Sequence, residues 1–238
     1  MNILNDIIDF LFPRYCPICE RRLTPSEQNI CFCCLSSLPR INAHFIEGNP
    51  IEQLYWTHLP IEKATAFFYY DSTEVRETIY HAKYYQDPKV AEVVATAMAE
   101  ELMETGFFDG MDLIVPIPLH PKRLRKRGYN QCDFIANGIS KVTKIPVAKD
   151  IICRVVDNTS QTHLSSSERK ENVINIFKLV KSEKAQGKHI LLVDDVITTG
   201  ATTISCGQEL AKAGDVRISV VGMGYAGKKF LYYDDRQY

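Results

Sequence analysis

The apolar run Ile190-Leu191-Leu192-Val193 has no polar alternation. It predicts a strand buried on both faces of a sheet that is covered by helices. Asp194 and Asp195 close the run, small residues follow in Thr198-Thr199-Gly200-Ala201-Thr202, and Ile204, Gly207, Leu210 and Ala211 then recur at helical spacing until Gly214. That is a helix with a glycine stop. Ala64–Tyr70, Asp112–Ile117 and Val216–Met223 predict three further strands, and Pro146–Val155 a short one, with structure resuming over Ile174–Val180. Helices are predicted over Thr73–Tyr84, with Val75, Ile79 and Ala82 on one side, and over Lys89–Thr105, opened by an Asp87 cap and Pro88. A third spans Cys132–Val142 through Phe134, Ile135, Ile139 and Val142. Strands alternating with helices predict an α/β fold, a parallel sheet flanked by helices. Residues 40–62 have no period and carry Pro50 and Pro60, so they read as a connecting region. At the N-terminus Ile3, Leu4, Ile7, Ile8 and Leu11 share one helical face, which predicts a helix docked on the body of the protein.

Composition narrows the class. The chain has 238 residues, 45% hydrophobic and 24% charged, as in a water-soluble protein with a full core. A net charge of −1 excludes a globally basic nucleic-acid binder, so such binding would need a local patch. No segment is apolar enough to span a membrane. Asp6 and Asp9 interrupt the N-terminal apolar run, against a secretion signal. The expected location is the cytoplasm.

Of eight cysteines, five crowd into Cys16–Cys34. Cys132, Cys153 and Cys206 are scattered and read as plain core thiols in a reducing compartment. Cys16-Pro-Ile-Cys19 and Cys31-Phe-Cys33-Cys34 form two C-x-x-C knuckles with eleven residues between them. Each knuckle can give two thiolates to one metal, so Cys16, Cys19, Cys31 and Cys34 predict a closed four-sulfur site for structural Zn2+, with Cys33 the spare. A redox dithiol or an iron in the same cage stays open. This module is expected over 1–45, with a second domain over 46–238.

The residues after the run at 190–193 suit a phosphorylated sugar. A glycine among small neighbours lets main-chain amides converge, and the following helix adds its positive end, a combination that accepts a phosphate dianion. Asp194 and Asp195 would repel that phosphate but can accept hydrogen bonds from a diol one ring away, which describes a ribose 5-phosphate site. An ordinary strand–turn–helix is the plain alternative. A second candidate feature is Lys122, Arg123, Arg125, Lys126 and Arg127, a stretch without acids between Asp112 and Asp133. It follows a predicted strand, where α/β sheets bind ligands, and it could serve a pyrophosphate. A solvated charged face and single-stranded nucleic acid, with Tyr129 as a stacking ring, remain alternatives. His120 reads as a turn hydrogen-bonder. The polar stretch Asp157–Asn172 reads as a lid, with Arg169 and Lys170 able to close on a polyanion, or as a plain surface loop.

Ile190–Thr202 resembles the thirteen-residue phosphoribosyl pyrophosphate (PRPP) signature of type I phosphoribosyltransferases. The cysteine knuckles, VPIPLHPKRLRKRGYNQ, SQTHLSSSERKENV and LLVDDVITTGATT occur in the order seen in the ComF family, competence-associated proteins similar to amidophosphoribosyltransferases. The resemblance covers about Cys16 to Met223. It implies that Asp194 and Asp195 bind the ribose hydroxyls and that Thr198, Thr199, Gly200, Ala201 and Thr202 hold the 5-phosphate. The Pro118–Arg123 turn would be the pyrophosphate loop and Asp157–Asn172 the flexible catalytic loop. The implied activity is displacement of pyrophosphate from PRPP with Mg2+, aided by Lys122, Arg123 and Arg169. The acceptor is not implied, and no N-terminal cysteine nucleophile for glutamine is present at position 1 or 2. A non-catalytic PRPP-binding regulator and a single-stranded DNA-binding competence factor, with a DNA helicase as partner, are the other functions in keeping with the family.

Overall fold

The computed structural model describes residues 12–70, 73, 75–76, 88–156 and 176–229. The N-terminal apolar segment, most of the helix expected over Thr73–Tyr84 and the stretch Asp157–Asn172 with Arg169 lie outside the described residues. In chain order the described elements are α1 (Phe32–Ser37), a 3-10 turn (Ala43–Phe45), α2 (Pro50–Gln53), β1 (Ala64–Tyr69), α3 (Lys89–Met103), β2 (Leu113–Pro116), α4 (Pro121–Arg127) and α5 (Gln131–Thr143). They continue with β3 (Ile152–Arg154), β4 (Phe177–Leu179), α6 (Ser182–Ala185), β5 (His189–Ile197), α7 (Ala201–Ala211) and β6 (Arg217–Tyr225).

The parallel sheet expected from the sequence is present, in the order β1-β6-β5-β2. Because side chains alternate along a strand, β5 feeds two cores. Leu191 and Val193 pack with α3 and α5 through Val94, Met98, Ile135 and Ile139. Ile190 and Leu192 pack on the opposite face with Cys206 and Leu210 of α7 and with Tyr55, Leu59 and Phe177. Residues 190 to 193 are therefore buried on both sides, with each of the four side chains fully excluded from solvent. Gly138 makes the α3–α5 contact possible: a Cβ there would lie 2.4 Å from the Glu92 carbonyl oxygen and 2.8 Å from the Ala95 Cβ.

Some elements differ from the sequence expectation. The strand sought over Pro146–Val155 is only Ile152–Arg154, which pairs antiparallel with β4 in a separate two-stranded sheet, while Val147 makes a lone parallel bridge to Ile114. Pro88 occupies the N-cap position of α3, without a side-chain cap hydrogen bond. The connecting region holds α2, opened by Asn49, whose side chain accepts from the Ile51 and Glu52 amides at 2.9 and 3.2 Å. The basic run is helical, as described below.

The Cys-rich module packs against the α3 face. Cys16, Leu23, Ile30, Cys31, Cys34 and Leu38 belong to the same buried cluster as Val94 and Met98. Arg40 grips Glu101 of α3 with Nε at 2.9 Å and Nη2 at 2.7 Å. A cleft of about 460 Å³ lies between α1 and α3, lined by Phe32, Cys33, Arg40 and Glu101 among others, and contains none of the expected sugar-site residues. Among the described residues, no helix is long and apolar enough to cross a membrane.

Candidate functional site

The helices that follow β2 and β5 lie on opposite faces of the sheet, α5 with one core and α7 with the other. In a parallel sheet this divergence opens a crevice at the strands' carboxyl ends. Asp194 and Asp195 stand there, within the last residues of β5. Asp195 is 9% exposed. Its amide donates to the Asp194 carboxylate at 2.9 Å, so the two acids are set relative to each other by main chain.

Thr198 and Thr199 form the turn beyond β5. Gly200 is the N-cap of α7 with φ of 73°, in the left-handed region that a side chain disfavours. Ala201 and Thr202 make the first turn of that helix. Asp194, Val196, Ile197 and Thr198–Thr202 together line a shallow cup of about 30 Å³. The sequence-predicted loop residues are therefore contiguous around one concave surface at a helix N-terminus.

A residue without a sequence signal, Tyr55, packs behind the loop. The buried Tyr55 hydroxyl lies 2.9 Å from the Thr203 hydroxyl, which donates to the Gly200 carbonyl at 2.9 Å. The Tyr55 ring would meet a Cβ on Gly200 at 3.4 Å. Burial raises the Tyr55 hydroxyl well above its ordinary range, and burial, followed by the Asp194 charge, does the same to the Cys206 thiol. Both groups beneath the loop stay neutral, so neither opposes an anion above it.

The basic run is a seven-residue helix rather than a turn. Pro121 stands at its first position, the His120 ring nitrogen accepts from the Lys122 amide at 3.3 Å, and Gly128 ends it in a left-handed cap. These caps suffice where no apolar period exists to announce a helix. Lys122 and Arg123 occupy its first turn. Helical spacing groups Arg123 with Arg127, and Lys122 with Arg125 and Lys126 on another side.

The next residues join this helix to the acids. Asn130 caps α5 by accepting from the Cys132 amide at 3.3 Å, and its Nδ2 donates to the Ile117 carbonyl at the end of β2 at 3.0 Å. Gln131 donates from Nε2 to the Asp195 Oδ2 at 2.5 Å, and Arg127 donates to the Gln131 Oε1. Cys132 Sγ is 3.8 Å from Asp194 Oδ1. Tyr129 packs edge-on against Phe134, with ring centroids 5.9 Å apart. Asp194, Asp195 and the phosphate-loop residues are thus brought together, and Arg127 links the basic helix to them. Arg169 lies outside the described residues.

The cysteine group is a separate site. The sulfurs of Cys16, Cys19, Cys31 and Cys34 all lie within 4.8 Å of one another. A zinc–sulfur bond of about 2.3 Å implies a tetrahedral edge of about 3.8 Å, and the Cys19 and Cys31 sulfurs are 3.7 Å apart. The donor set therefore fits a tetrahedral thiophilic metal. Burial raises the Cys16 thiol, but main-chain amides of Cys31, Cys19 and Ile18 outweigh it and bring the group down to about 7. Burial pushes the Cys34 thiol up, and the other thiols add to the effect. Glu27, 1% exposed, ties the segment between the knuckles to the second of them by accepting from the Thr24 and Phe32 amides at 2.8 and 2.9 Å. Cys33 is exposed and is not part of the four-sulfur group.

No family model matches the chain. Among curated proteins it is 30% identical to competence protein F of Haemophilus influenzae over 216 residues, covering 90% of this chain and 86% of that protein. It is 26% identical to the DNA utilization protein YhgH of Escherichia coli K12, covering 86% of this chain and 87% of that protein. Among solved structures, the glutamine PRPP amidotransferase of Bacillus subtilis, complexed with ADP and GMP, is similar at 19% identity and a TM-score of 0.40, over 59% of this chain and 30% of that one. A structural likeness at that score says nothing of what this chain binds. The similarity to the Haemophilus protein spans nearly the whole of both chains, and on that ground this chain belongs to the competence protein F (ComF) family.

Proposed function

We propose that the chain is a phosphoribosyltransferase that binds PRPP with Mg2+ and displaces its pyrophosphate at the anomeric carbon. The observation that carries this reading is the adjacency of two acids at the end of β5 to a small-residue loop opening α7. In this reading, main-chain donors of Thr198–Thr202 hold the 5-phosphate at the helix's positive end. Asp194 and Asp195 accept hydrogen bonds from the ring hydroxyls and favour positive charge growing on the ring. The bond from the anomeric carbon to pyrophosphate oxygen breaks with its electron pair leaving on pyrophosphate, and an acceptor nucleophile bonds to that carbon as it sheds its proton. Lys122, Arg123 and Arg169 offset the charge on the leaving group, Arg123 from the side of α4 that carries Arg127. Removing one such group costs about 3 kcal/mol of barrier, a hundredfold or more in rate. The hard oxygen donors of Asp194 and Asp195 suit Mg2+ brought in with the substrate, and that ion would neutralise pyrophosphate charge. We assign residues 1–45 to a Zn2+ module and 46–238 to the transferase domain.

The names of the relatives, competence protein F and DNA utilization protein, support a setting in DNA uptake. A second reading rests on Lys122, Arg125 and Lys126, exposed on α4 away from the Arg127 side: these cations suit single-stranded DNA, alone or with a helicase partner.

The test is pyrophosphate release from PRPP and Mg2+, screened over purines, pyrimidines and amines as acceptors. Release with at least one acceptor is expected. PRPP binding without release across the screen would favour a regulator, and no PRPP binding would reject the sugar site. Single-stranded DNA binding that weakens steeply with salt would support the second reading.

A further inference from the structure

Gln131 lies on the first turn of α5, only 5% exposed, between the basic helix and the acid pair. Arg127 can only donate, so its contact with Oε1 fixes the amide's orientation and leaves Nε2 directed at Asp195. Asn130 holds the start of α5 against the end of β2, so this side chain issues from a fixed backbone. A buried neutral donor placed on one carboxylate oxygen decides how the other can face a ligand.

We infer that Gln131 is a positioning residue: clamped by Arg127, it orients the Asp195 carboxylate for the sugar hydroxyls and couples the acid pair to the basic helix. This rests on the reading of Asp194 and Asp195 as the sugar-binding acids. A neutral amide is the side chain that meets both demands here. An acid at 131 would pair with Arg127 but confront Asp195, and a base would lose Arg127.

Two variants test it. Gln131→Leu keeps the bulk and removes the donor, and its PRPP affinity in calorimetry with Mg2+ falls about tenfold, the worth of one hydrogen bond to a charged group. Gln131→Glu keeps the Arg127 contact and sets a carboxyl against Asp195. The charged groups around it are then Asp194 and Asp195 on β5, Arg127 on α4 and Asp133 on α5. Two facing carboxyls hold one proton more readily than a single one, so lowering the pH restores a donor between them. Gln131→Glu is expected to bind PRPP at least about tenfold more weakly than wild type at pH 7.5 and to regain most of that loss, relative to wild type at each pH, by about pH 5. A merely structural role would give a pH-independent deficit. Melting curves of both variants over the same pH range report folding separately: recovery of Gln131→Glu stability at low pH supports the contact with Asp195. Equal PRPP affinity of wild type and Gln131→Leu, or a Gln131→Glu deficit that does not change with pH, overturns the role of Gln131 alone. Failure of wild type itself to bind PRPP overturns the sugar-site reading and this role with it.

Discussion

Replacing Asp194 and Asp195 together by alanine is expected to abolish PRPP binding while the protein stays folded. Titration calorimetry with Mg2+ should lose its binding heat, a fall in affinity of more than about a hundredfold if each acid gives up one charged hydrogen bond to the sugar. The fold tolerates the change because the buried strand that carries the acids is secured elsewhere. Ile190, Leu191, Leu192 and Val193 are fully buried, and β5 pairs with β6 from His189 to Ile197 and with β2 over Ile190–Val193. One loss within the protein is the acceptor for Gln131 Nε2, worth about 1–3 kcal/mol if the amide is left unpartnered. A melting temperature lowered by no more than several degrees is the accompanying expectation. Unchanged PRPP affinity in the double variant would refute the assignment of the acids.

The second large effect concerns the four-sulfur group. Cys16→Ser or Cys31→Ser, each removing a buried ligand, should release the metal, and a strong chelator should do the same to the wild-type protein. A structural zinc site contributes on the order of 10 kcal/mol of binding that is also folding free energy. Its loss should therefore unfold the module and loosen the face of α3 on which Leu23, Ile30 and Leu38 pack. Cys33→Ser is the control: Cys33 is exposed and stands outside the group, so metal content of about one ion per chain and the melting temperature should persist. Metal retained in Cys16→Ser, or lost in Cys33→Ser, as read by elemental analysis, would contradict the ligand set.

What could be read from the chain depended on whether a feature carries its own periodicity. Residues 190–193 predicted a strand buried on both faces because an unbroken apolar run has no other ready explanation, and the structure divides those four side chains between two cores. The cysteine knuckles were legible because their spacing is itself a geometric statement. Helix α4 carries no period of its own, since five cations in seven residues mask any apolar face, and it is His120, Pro121 and Gly128 at its ends that make it helical. Tyr55 and Gln131 gave no signal because their contacts are distant in sequence, with Thr203 and Asp195. Tyr55 also fell in a stretch where prolines obscure the period. Gln131 closes the motif VPIPLHPKRLRKRGYNQ, but its residue type alone does not tell that its side chain is buried against Asp195. Spacing alone marks out the cysteine module, and its buried residues join those of α3 in one cluster.

In the proposed site, main-chain donors of Thr198–Thr202 cradle a sugar phosphate beside Asp194 and Asp195. A crystal structure of the protein soaked with PRPP and Mg2+ is the sharpest check on this arrangement. The 5-phosphate is expected in the cup beyond β5, with the ring hydroxyls on the two acids. A sugar bound elsewhere, or a cup filled by the protein's own side chains while PRPP is present, would contradict it.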